Sequence, residues 1–431
     1  MADQDNLNNI LERLLNGNET ENDIEKLKRS LLADNLQIAS QLGKYNVNIG
    51  EGKEIHIGDR HYHGADAETI EKILRTLWEE IQSSQSKPVF WKYRHTFRGH
   101  RDSINAVAIT SDSKTLISVS DDKTIKVWSL NPPKLLSTLA KQENELLCVA
   151  IAPDNQTLIS GDNDGNIQIG NLQTGNLATL PKIHEKLIHT IAISPDGKIF
   201  ATGSADKTIQ IWNINPLKRL YLTPKQEAEI NVVSIALDNQ TLISGDKQGT
   251  IKIWNLLTGE LLNTLPNVHE KSVNCLALSQ DGEMFATGSA DKIIKIWNLQ
   301  TGHLIQTLNQ EGGTQEEGNT PINAIAFSPN SQILISGSKG KSVSKSSKFK
   351  FGHLLENPAI KVFRRSGGKD RTKASFGGSL RIWNIKTGTL LEYKKRVHAS
   401  PINSLAISSD GQLLVTASKG GSIMMWQRAQ S

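Results

Sequence analysis

A unit of about 42 residues that recurs along most of the chain constrains the fold more than any other feature of the sequence. Residues 184–213 show one copy, in which three short apolar runs are separated by Pro-Asp-Gly at 195–197 and Ala-Asp-Lys at 205–207. β-Branched runs favour strands, and Pro and Gly supply the backbone angles of tight turns. Each unit is therefore predicted to contain three strands. Because three strands cannot bury their apolar faces alone, the units must pack on one another.

A tryptophan marks the end of the third strand in six of these units. Gly170 stands where the second mark is expected, and with it the marks lie 42 or 43 residues apart, except for one interval of 86. A period of about 40–45 residues with four strands per unit is typical of a β-propeller. The six tryptophans are Trp128, Trp212, Trp254, Trp297, Trp383 and Trp426.

Three polar residues recur ahead of the tryptophan: a His 28 residues before it, a Ser or Thr 10 before it and an Asp 6 before it. On these motifs the chain resembles the WD-repeat family from about Tyr93 to its end. The histidine is replaced by Gln142 and Gln226 in units 2 and 4. The set is complete in units 1, 3 and 5: His100, Ser118, Asp122 and Trp128; His184, Thr202, Asp206 and Trp212; His269, Thr287, Asp291 and Trp297.

The resemblance implies an all-β propeller of seven blades, in which the four positions form a hydrogen-bonded tetrad inside each blade. In such a tetrad the Asp orients the His, the His reaches the hydroxyl, and the hydroxyl reaches the indole N–H, so buried polar atoms are paired. The resemblance also implies that the end strands at 94–98 and 422–427 pair and close the ring, which removes exposed edges. One departure is that no tryptophan here is followed by Asp.

The sixth unit contains the interval of 86 residues. The extra length is predicted to be a basic insert at 339–378, which follows Ser338, together with a lengthened loop at 309–321. An eighth blade is the rival interpretation, but the insert lacks a pair of apolar strands. Residues 359–363, AIKVF, imitate a third strand and leave the strand register of this blade open.

The first 85 residues are predicted to form a small α+β domain, joined to the propeller by a linker at 86–92. Apolar residues at helical spacing predict helices near 7–15, 20–31 and 66–81, and an alternating run at 47–57 predicts a β-hairpin. The stretches QLGKYNVNIGEGKEIHIGDR and GADAETIEKIL resemble the effector-associated domains of bacterial, especially cyanobacterial, conflict and signalling proteins. That resemblance implies an adaptor that recruits an effector. A docking or dimerisation domain without a signalling role is the alternative.

Charge is distributed unevenly, and the compartment is expected to be the cytoplasm. Residues 1–85 carry 9 Lys and Arg against 16 Asp and Glu, whereas residues 339–376 carry 11 against 2. The chain has no apolar run near the ~20 residues of a membrane span and no basic-then-apolar signal at its start. Its two cysteines, Cys148 and Cys275, fall in first strands of blades 2 and 5, too far apart for a disulfide. They are expected to be core thiols in a reducing compartment.

No catalytic, cofactor-binding or metal-binding constellation is predicted. The Ser, His and Asp residues recur once per blade at fixed spacing, which indicates a structural role. The sequence contains no phosphate-binding glycine-rich Lys motif and no CxxC pair. His56, His61 and His63 alternate along one extended run, and a metal needs about four ligands in tetrahedral reach. We therefore expect these three to be solvated hairpin residues.

The basic insert is the candidate site for a polyanion or an acidic partner. Its cations are interleaved with four phenylalanines, so they could grip phosphates while the rings stack on bases. An acidic protein or membrane surface is a second interpretation, and a solvated, disordered loop is the third. The candidate residues are Lys345, Lys348, Lys350, Arg364, Arg365, Arg371 and Lys373.

The sequence thus predicts a non-enzymatic adaptor or sensor. Its propeller would bind a protein or peptide, and its N-terminal domain would recruit a signalling or effector partner. The alternative is a nucleic-acid-binding protein that acts through the insert at 339–376, and a purely structural scaffold is a third hypothesis. The ligand, the effector and the oligomeric state do not follow from the residues.

Overall fold

The computed structural model describes residues 91–139, 142–309, 320–339 and 377–429, together with three short strands between 48 and 63. The chain divides into two compact units, Met1–Val89 with Ser431, and Phe90–Gln430. The predicted N-terminal helices, the loop at 310–319 and the insert at 340–376 lie outside the described residues.

In the first unit, three strands form one antiparallel sheet: β1 (Asn48–Ile49), β2 (Glu54–Ile57) and β3 (Arg60–His63). The pairing of β1 with β2 is the hairpin that the alternating pattern predicted. The third strand was not predicted, because its sequence, RHYH, carries almost no apolar signal.

The second unit is a ring of seven four-stranded antiparallel sheets, each built from strands adjacent along the chain except where the ring closes. The first strands are β5 (Ile104–Ile109), β9 (Leu146–Ile151), β13 (Ile188–Ile193), β17 (Ile230–Ile235), β21 (Val273–Leu278), β25 (Ile322–Phe327) and β29 (Ile402–Ile407). The second strands are β6 (Thr115–Ser120), β10 (Thr157–Asp162), β14 (Ile199–Ser204), β18 (Thr241–Asp246), β22 (Met284–Ser289), β26 (Ile333–Lys339) and β30 (Leu413–Ser418).

The third and outer strands complete the blades. The third strands are β7 (Ile125–Leu130), β11 (Ile167–Asn171), β15 (Ile209–Asn213), β19 (Ile251–Asn255), β23 (Ile293–Asn298), β27 (Gly378–Asn384) and β31 (Ser422–Arg428). The outer strands are β8 (Pro133–Thr138), β12 (Leu177–Leu180), β16 (Lys218–Leu222), β20 (Leu261–Leu265), β24 (Leu304–Asn309), β28 (Leu390–His398) and β4 (Trp91–Arg98). Neighbouring first strands contact one another around the whole ring and so line its centre.

Burial falls from the centre of a blade to its rim, and this gradient explains the sequence pattern. In β14, five of six residues are buried, whereas every residue of β16 is exposed. A strand covered on both faces reads as a continuous apolar run, and the second strands show this. The apolar cores lie between blades: Val415 and Ile423 of blade 7 pack with Leu116 and Trp128 of blade 1.

The ring closes between the two ends of the second unit. Strand β4 pairs antiparallel with β31 along its whole length, so the first strand of the unit becomes the outer strand of blade 7. The predicted closure is therefore observed, and the strand begins three residues earlier than the 94–98 segment that the sequence indicated. Phe97 of β4 is only 2% exposed and lies 5.4 Å from Trp128 of blade 1, ring centre to ring centre.

Blade 6 contains the interruption where the spacing placed it. Strands β26 and β27 pair with Leu334 opposite Trp383 and Lys339 opposite Gly378, so the extra residues fall in the sequence between these last two positions. The third strand of the blade is thus Gly378–Asn384 and not residues 359–363. This settles the register that the sequence left open, and the ring has seven blades rather than eight.

Closure of the ring can be tested at Phe97. Phe97→Ala removes a ring buried between blades 7 and 1, and we expect it to lower the free energy of unfolding of the full chain by about 3–5 kcal/mol. Tyr93→Ala is the control, because Tyr93 lies on the same strand but is 43% exposed, and we expect a loss of about 1 kcal/mol. Chemical denaturation would measure both. Equal effects would show that β4 does not close the core.

Candidate functional site

Blade 1 contains a complete tetrad of hydrogen-bonded side chains, which links the segment before its first strand to its second and third strands. His100 Nδ1 lies 2.9 Å from Asp122 Oδ2, and His100 Nε2 lies 2.7 Å from Ser118 Oγ. Trp128 Nε1 donates to the same Oγ at 2.8 Å. An ionised Asp122 requires the proton on Nδ1, so Nε2 accepts and the Ser118 hydroxyl donates. Each buried polar atom of this tetrad therefore has a partner.

The electrostatic environment of this tetrad stabilises a neutral histidine beside an ionised aspartate. Burial lowers the pKa of His100, although the carboxylate of Asp122 opposes that shift. Burial alone would raise the pKa of Asp122, but bonds from Thr124, the Arg101 N–H and His100 outweigh it and lower the pKa to about 2. Hydrogen bonds to the charged form are the usual cause of such a depression.

Blades 3 and 5 repeat the tetrad with threonine in place of serine. The two blades differ in whether the tryptophan donates a hydrogen bond to that threonine. In blade 5, His269 lies 2.8 Å from both Asp291 and Thr287, and Trp297 donates to Thr287 at 3.1 Å. In blade 3, His184 lies 2.8 Å from Asp206 and 2.7 Å from Thr202.

The indole N–H of Trp212 has no hydrogen-bond partner among the described residues. The interpretation of blade 3 as a complete tetrad is therefore wrong at its last link. Trp212 instead stacks on Phe200 with 6.0 Å between ring centres and 5° between planes, and it is only half-buried.

Blades 2 and 4 replace the tetrad with other polar networks. Their aspartates, Asp162 and Asp246, stand two residues earlier in the repeat than the aspartate of blade 1. Asp246 accepts hydrogen bonds from the backbone N–H groups of Gln248 and Thr250, both at 2.9 Å. Trp254 still donates to Ser244 at 2.8 Å, and Lys252 donates to Gln226, which holds the place of the histidine, at 2.6 Å. The substitutions therefore leave these buried groups paired.

In blade 2 the missing tryptophan is replaced from the next strand. A Cβ atom on Gly170 would lie 2.3 Å from Cδ2 of Leu177, so the leucine occupies the space of the indole. Ser160, left without an indole donor, donates to Gln168, which in turn donates to Asp162 at 3.2 Å. Any side chain at position 170 would displace Leu177.

Blades 6 and 7 keep the tryptophan and lose other members. Trp383 donates to Ser336 at 3.0 Å. In blade 7, His398 lies 2.8 Å from Thr416, but Gly420 stands in the place of the aspartate and Ser422 contacts Nδ1 at 3.1 Å instead. Without a carboxylate, burial lowers the pKa of His398 to about 4.

A second repeating contact, not predicted from the sequence, joins the blades at the centre of the ring. The second residue of each first strand, here called the ring position, is asparagine in five blades. Each of these asparagines donates from Nδ2 to a backbone carbonyl of the next blade, at 2.8–3.2 Å. The donors are Asn105, Asn231, Asn274, Asn323 and Asn403. In blades 1, 4, 5 and 7 this Asn stands 23 residues before the tryptophan, and that spacing was the available signal.

Blades 2 and 3 interrupt this ring with Leu147 and His189. His189 Nε2 is buried, lies 3.8 Å from Glu229 Oε2 and has no hydrogen-bond partner among the described residues. Glu229 is instead bound by Lys247 of blade 4 at 2.9 Å. Burial lowers the pKa of His189, while Glu229 opposes the shift. This cluster, Leu147, His189, Glu229 and Lys247, is called the ring gap below.

The arrangement of the tetrads argues against catalysis by their hydroxyl groups. Ser118, Thr202 and Thr287 are all 0% exposed, so no substrate can reach them. Cys148 and Cys275 are buried and unpaired, and burial raises the pKa of the Cys148 thiol to about 12. Within the described ranges, no group of three or more His, Cys, Asp or Glu residues could hold a metal ion, and no helix is long and apolar enough to cross a bilayer.

The predicted polyanion-binding residues of the insert, Lys345 to Lys373, lie outside the described part of the chain. The same is true of the side chains of His56, His61 and His63, of which the structure gives the backbone strands alone. Their proposed roles stay predictions.

These features define a class: a seven-bladed propeller whose recurrent polar residues hold each blade together. A family model described as WD domain, G-beta repeat matches the chain at residues 91–129, 133–169, 176–213, 218–255, 259–298, 306–344 and 391–427. The chain therefore belongs to the WD-repeat family. Residues 1–77 match a model described as Effector-associated domain 10, so the protein combines an effector-associated domain with a WD-repeat propeller.

Similarity to curated proteins is confined to 49 residues, about one repeat. “Pre-rRNA-processing protein crb3/ipi3” of Schizosaccharomyces pombe is 43% identical over 11% of this chain and 11% of its own length. “Probable E3 ubiquitin ligase complex SCF subunit sconB” of Arthroderma otae is 41% identical over 11% of this chain and 7% of its length. “Striatin homolog” of Dictyostelium discoideum is 33% identical over 11% and 6%. Matches this short show a shared repeat, not a shared role.

The difference between blades 3 and 5 predicts different costs for the same substitution. Trp212 and Trp297 both stack on a phenylalanine at 6.0 Å, but among the described residues only Trp297 donates to its threonine. We expect Trp297→Phe to lower the free energy of unfolding by about 1 kcal/mol more than Trp212→Phe, because it removes a buried hydrogen bond. Denaturation of the two variants measures this. Equal losses would mean that the Trp212 indole is also bonded in solution.

His398 predicts a pH dependence of stability. Its folded pKa, about 4, lies below the 6.5 of a free histidine, so below pH 6.5 the unfolded chain binds a proton that the folded chain does not. This contribution to stability is present above pH 6.5 and is lost as the pH falls towards 4. We expect the parent to lose about 2 kcal/mol more than His398→Gln between pH 7 and pH 5. Identical pH profiles would contradict a buried neutral His398.

Proposed function

We propose that this protein is a non-enzymatic scaffold whose propeller binds a protein or peptide at the ring gap, while its N-terminal domain recruits a signalling or effector partner. The observation that carries the proposal is the interruption of the ring of asparagines at two adjacent blades. Seven copies of one unit allow an internal comparison, in which five copies show the residue that stabilises the ring. Positions that depart from a consistent structural rule are where a functional role is expected.

The chemistry of the ring gap fits a polypeptide ligand. Leu147 offers an apolar side chain at the ring position of blade 2. His189 offers an imidazole at that of blade 3, 3.8 Å from Glu229, which pairs with Lys247. The His189 side chain is 31% exposed, so a ligand can contact its ring. An apolar contact surrounded by polar groups is the general layout of a protein-binding interface.

The N-terminal part of the proposal rests on the match to an effector-associated domain at residues 1–77. We propose an α+β domain within residues 1–85, a linker at 86–92 and a propeller from residue 93, and a bacterial signalling role in the cytoplasm. The two buried, unpaired thiols support a reducing compartment. A docking domain without a signalling role is the competing hypothesis.

The insert supports the alternative of nucleic-acid binding. Residues 339–376 carry 11 Lys and Arg against 2 Asp and Glu, and phosphate binding of that kind weakens steeply with salt. A salt titration with a single-stranded oligonucleotide tests this alternative independently of the ring gap. Binding that is unchanged when 340–376 is removed would exclude the insert as its site.

The test of the proposal restores the interrupted contact. Leu147→Asn with His189→Asn should extend the asparagine ring to all seven blades, so we expect equal or higher stability. We also expect loss of the propeller ligand, which is the protein that both the full-length parent and a chain lacking residues 1–85 capture from host extract. A chain lacking residues 1–85 should keep that capture and lose the effector.

Asn231→Ala and Asn274→Ala are the matched control, since they change two ring positions outside blades 2 and 3. They should lower stability and leave capture unchanged. If the Leu147 and His189 variant captures the same protein as the parent, the ring gap is not the binding site.

A further inference from the structure

The described surface of the propeller is divided by charge. Blades 6 and 7, at residues 91–98, 320–339 and 377–429, carry 11 Lys and Arg against 2 Asp and Glu. Blades 1 to 5, at 99–139 and 142–309, carry 17 against 21. The basic excess therefore extends beyond the insert, into two folded neighbouring blades. A field of one sign over one sector attracts ligands of the opposite sign.

In blades 6 and 7, more than half of the cations lie on the rim of the disc. Nine Lys and Arg residues lie on outer strands, and six of them belong to β4 and β28, the outer strands of blades 7 and 6. The outer strands of blades 4 and 5 carry exposed apolar residues instead, such as Leu262 and Ile305. We call the surface formed by β4 and β28 the basic rim; its cations are Lys92, Arg94, Arg98, Lys394, Lys395 and Arg396.

The strand register spreads these charges across the full depth of the disc. Arg98 lies opposite Ser422 at one end of β31, and Lys92 lies opposite Gln427 at the other. Among the described residues, Lys394 pairs with Glu392, whereas no carboxylate lies within 4.0 Å of Lys92, Arg94 or Arg98. The three cations of β4 therefore present charges that described carboxylates do not neutralise.

A buried cation lies behind the rim. Arg381 of β27 is 2% exposed, and its guanidinium carbon lies 4.3 Å from the ring centre of Tyr393 in β28. Lys395 lies over the same ring at 5.7 Å. A buried charge is screened by water less than an exposed one, so Arg381 adds to the positive potential of this sector.

We propose that the basic rim is a docking surface for an acidic segment of a partner protein. The proposal deepens the scaffold function proposed above, and it assigns a second protein-binding surface, separate from the ring gap. Strands β4 and β28 are the last strands of their sheets, and no described strand pairs with their outer edges. An extended peptide can add to such an edge through its own backbone, while its carboxylates meet the flanking cations.

The described aromatic residues of the sector favour a polypeptide over a nucleic acid. Bases of a single strand stack on open aromatic faces. Here Tyr93 meets Trp426 edge-on at 5.9 Å and bonds Thr96 through its hydroxyl, and the Tyr393 ring is engaged by Arg381 and Lys395. The rings of the basic rim thus serve its own packing.

The test reverses three rim charges in the full chain and measures binding of a fluorescent poly-L-glutamate peptide. Lys92→Glu, Arg94→Glu and Arg98→Glu together should weaken binding at low salt about tenfold or more, because exposed ion pairs are individually weak but are here lost and reversed at three sites. The matched control is Lys134→Glu, Lys218→Glu and Arg219→Glu, which makes the same change of charge on exposed outer-strand residues of blades 1 and 3. The control should bind within about twofold of the parent.

Both triple variants are also made in a chain whose residues 340–376 are replaced by a short Gly-Ser turn. The rim variant should still bind more weakly than the control there. If the two variants bind alike in both backgrounds, or if loss of 340–376 alone removes all binding, the basic rim is not the docking surface.

Two further arms separate the proposals. A single-stranded oligonucleotide is tested in the same way. If it binds more tightly than poly-L-glutamate and loses affinity in the rim variant but not in the control variant, the partner is a nucleic acid and not an acidic protein. The Leu147→Asn, His189→Asn variant should bind poly-L-glutamate like the parent. Failure of the ring-gap proposal therefore leaves the expected binding of poly-L-glutamate to the basic rim unchanged. Failure of the basic-rim proposal likewise leaves the expected capture of a ligand at the ring gap unchanged.

Discussion

The apolar faces of each blade are buried only by the neighbouring blades, so the whole structure depends on closure of the ring. The pairing of β4 with β31 provides that closure, and it places Phe97 against Trp128 of blade 1. A solenoid with open ends would leave two blade faces in water, whereas a closed ring leaves none. The polar tetrads and the asparagine contacts act within this ring, because both satisfy polar groups that closure has buried.

Much of the fold could be predicted from the sequence because the repeat is strong. The tryptophan interval gave seven blades, and the 86-residue gap placed the interruption of blade 6 next to Ser338. The third N-terminal strand was missed because RHYH has no apolar alternation. The broken link at Trp212 could not be predicted, since its motif is identical in kind to that of Trp297. The difference lies in packing, which spacing does not encode.

The candidate site was the less predictable part. The fixed spacing of Ser, His and Asp indicated a structural role, and in blades 1, 3 and 5 the side chains of these residues are buried and hydrogen-bonded to one another. The asparagine ring, by contrast, is a single polar residue per unit, and its meaning depends on a carbonyl of the next blade that sequence alone does not locate. Once five copies show this contact, Leu147 and His189 become informative as exceptions. In a repeat protein, the deviations between copies carry the information that related sequences would otherwise supply.

We propose that the asparagines at five ring positions stabilise the propeller and that Leu147 and His189, at the other two, bind the ligand. The most direct measurement substitutes alanine at each ring position in turn and records both the free energy of unfolding and the protein captured from host extract. We predict that the five asparagine variants lose stability and still capture the ligand, while the Leu147 and His189 variants keep their stability and no longer capture it. Loss of capture at the asparagine positions, or a loss of stability at Leu147 and His189 as large as theirs, would contradict it.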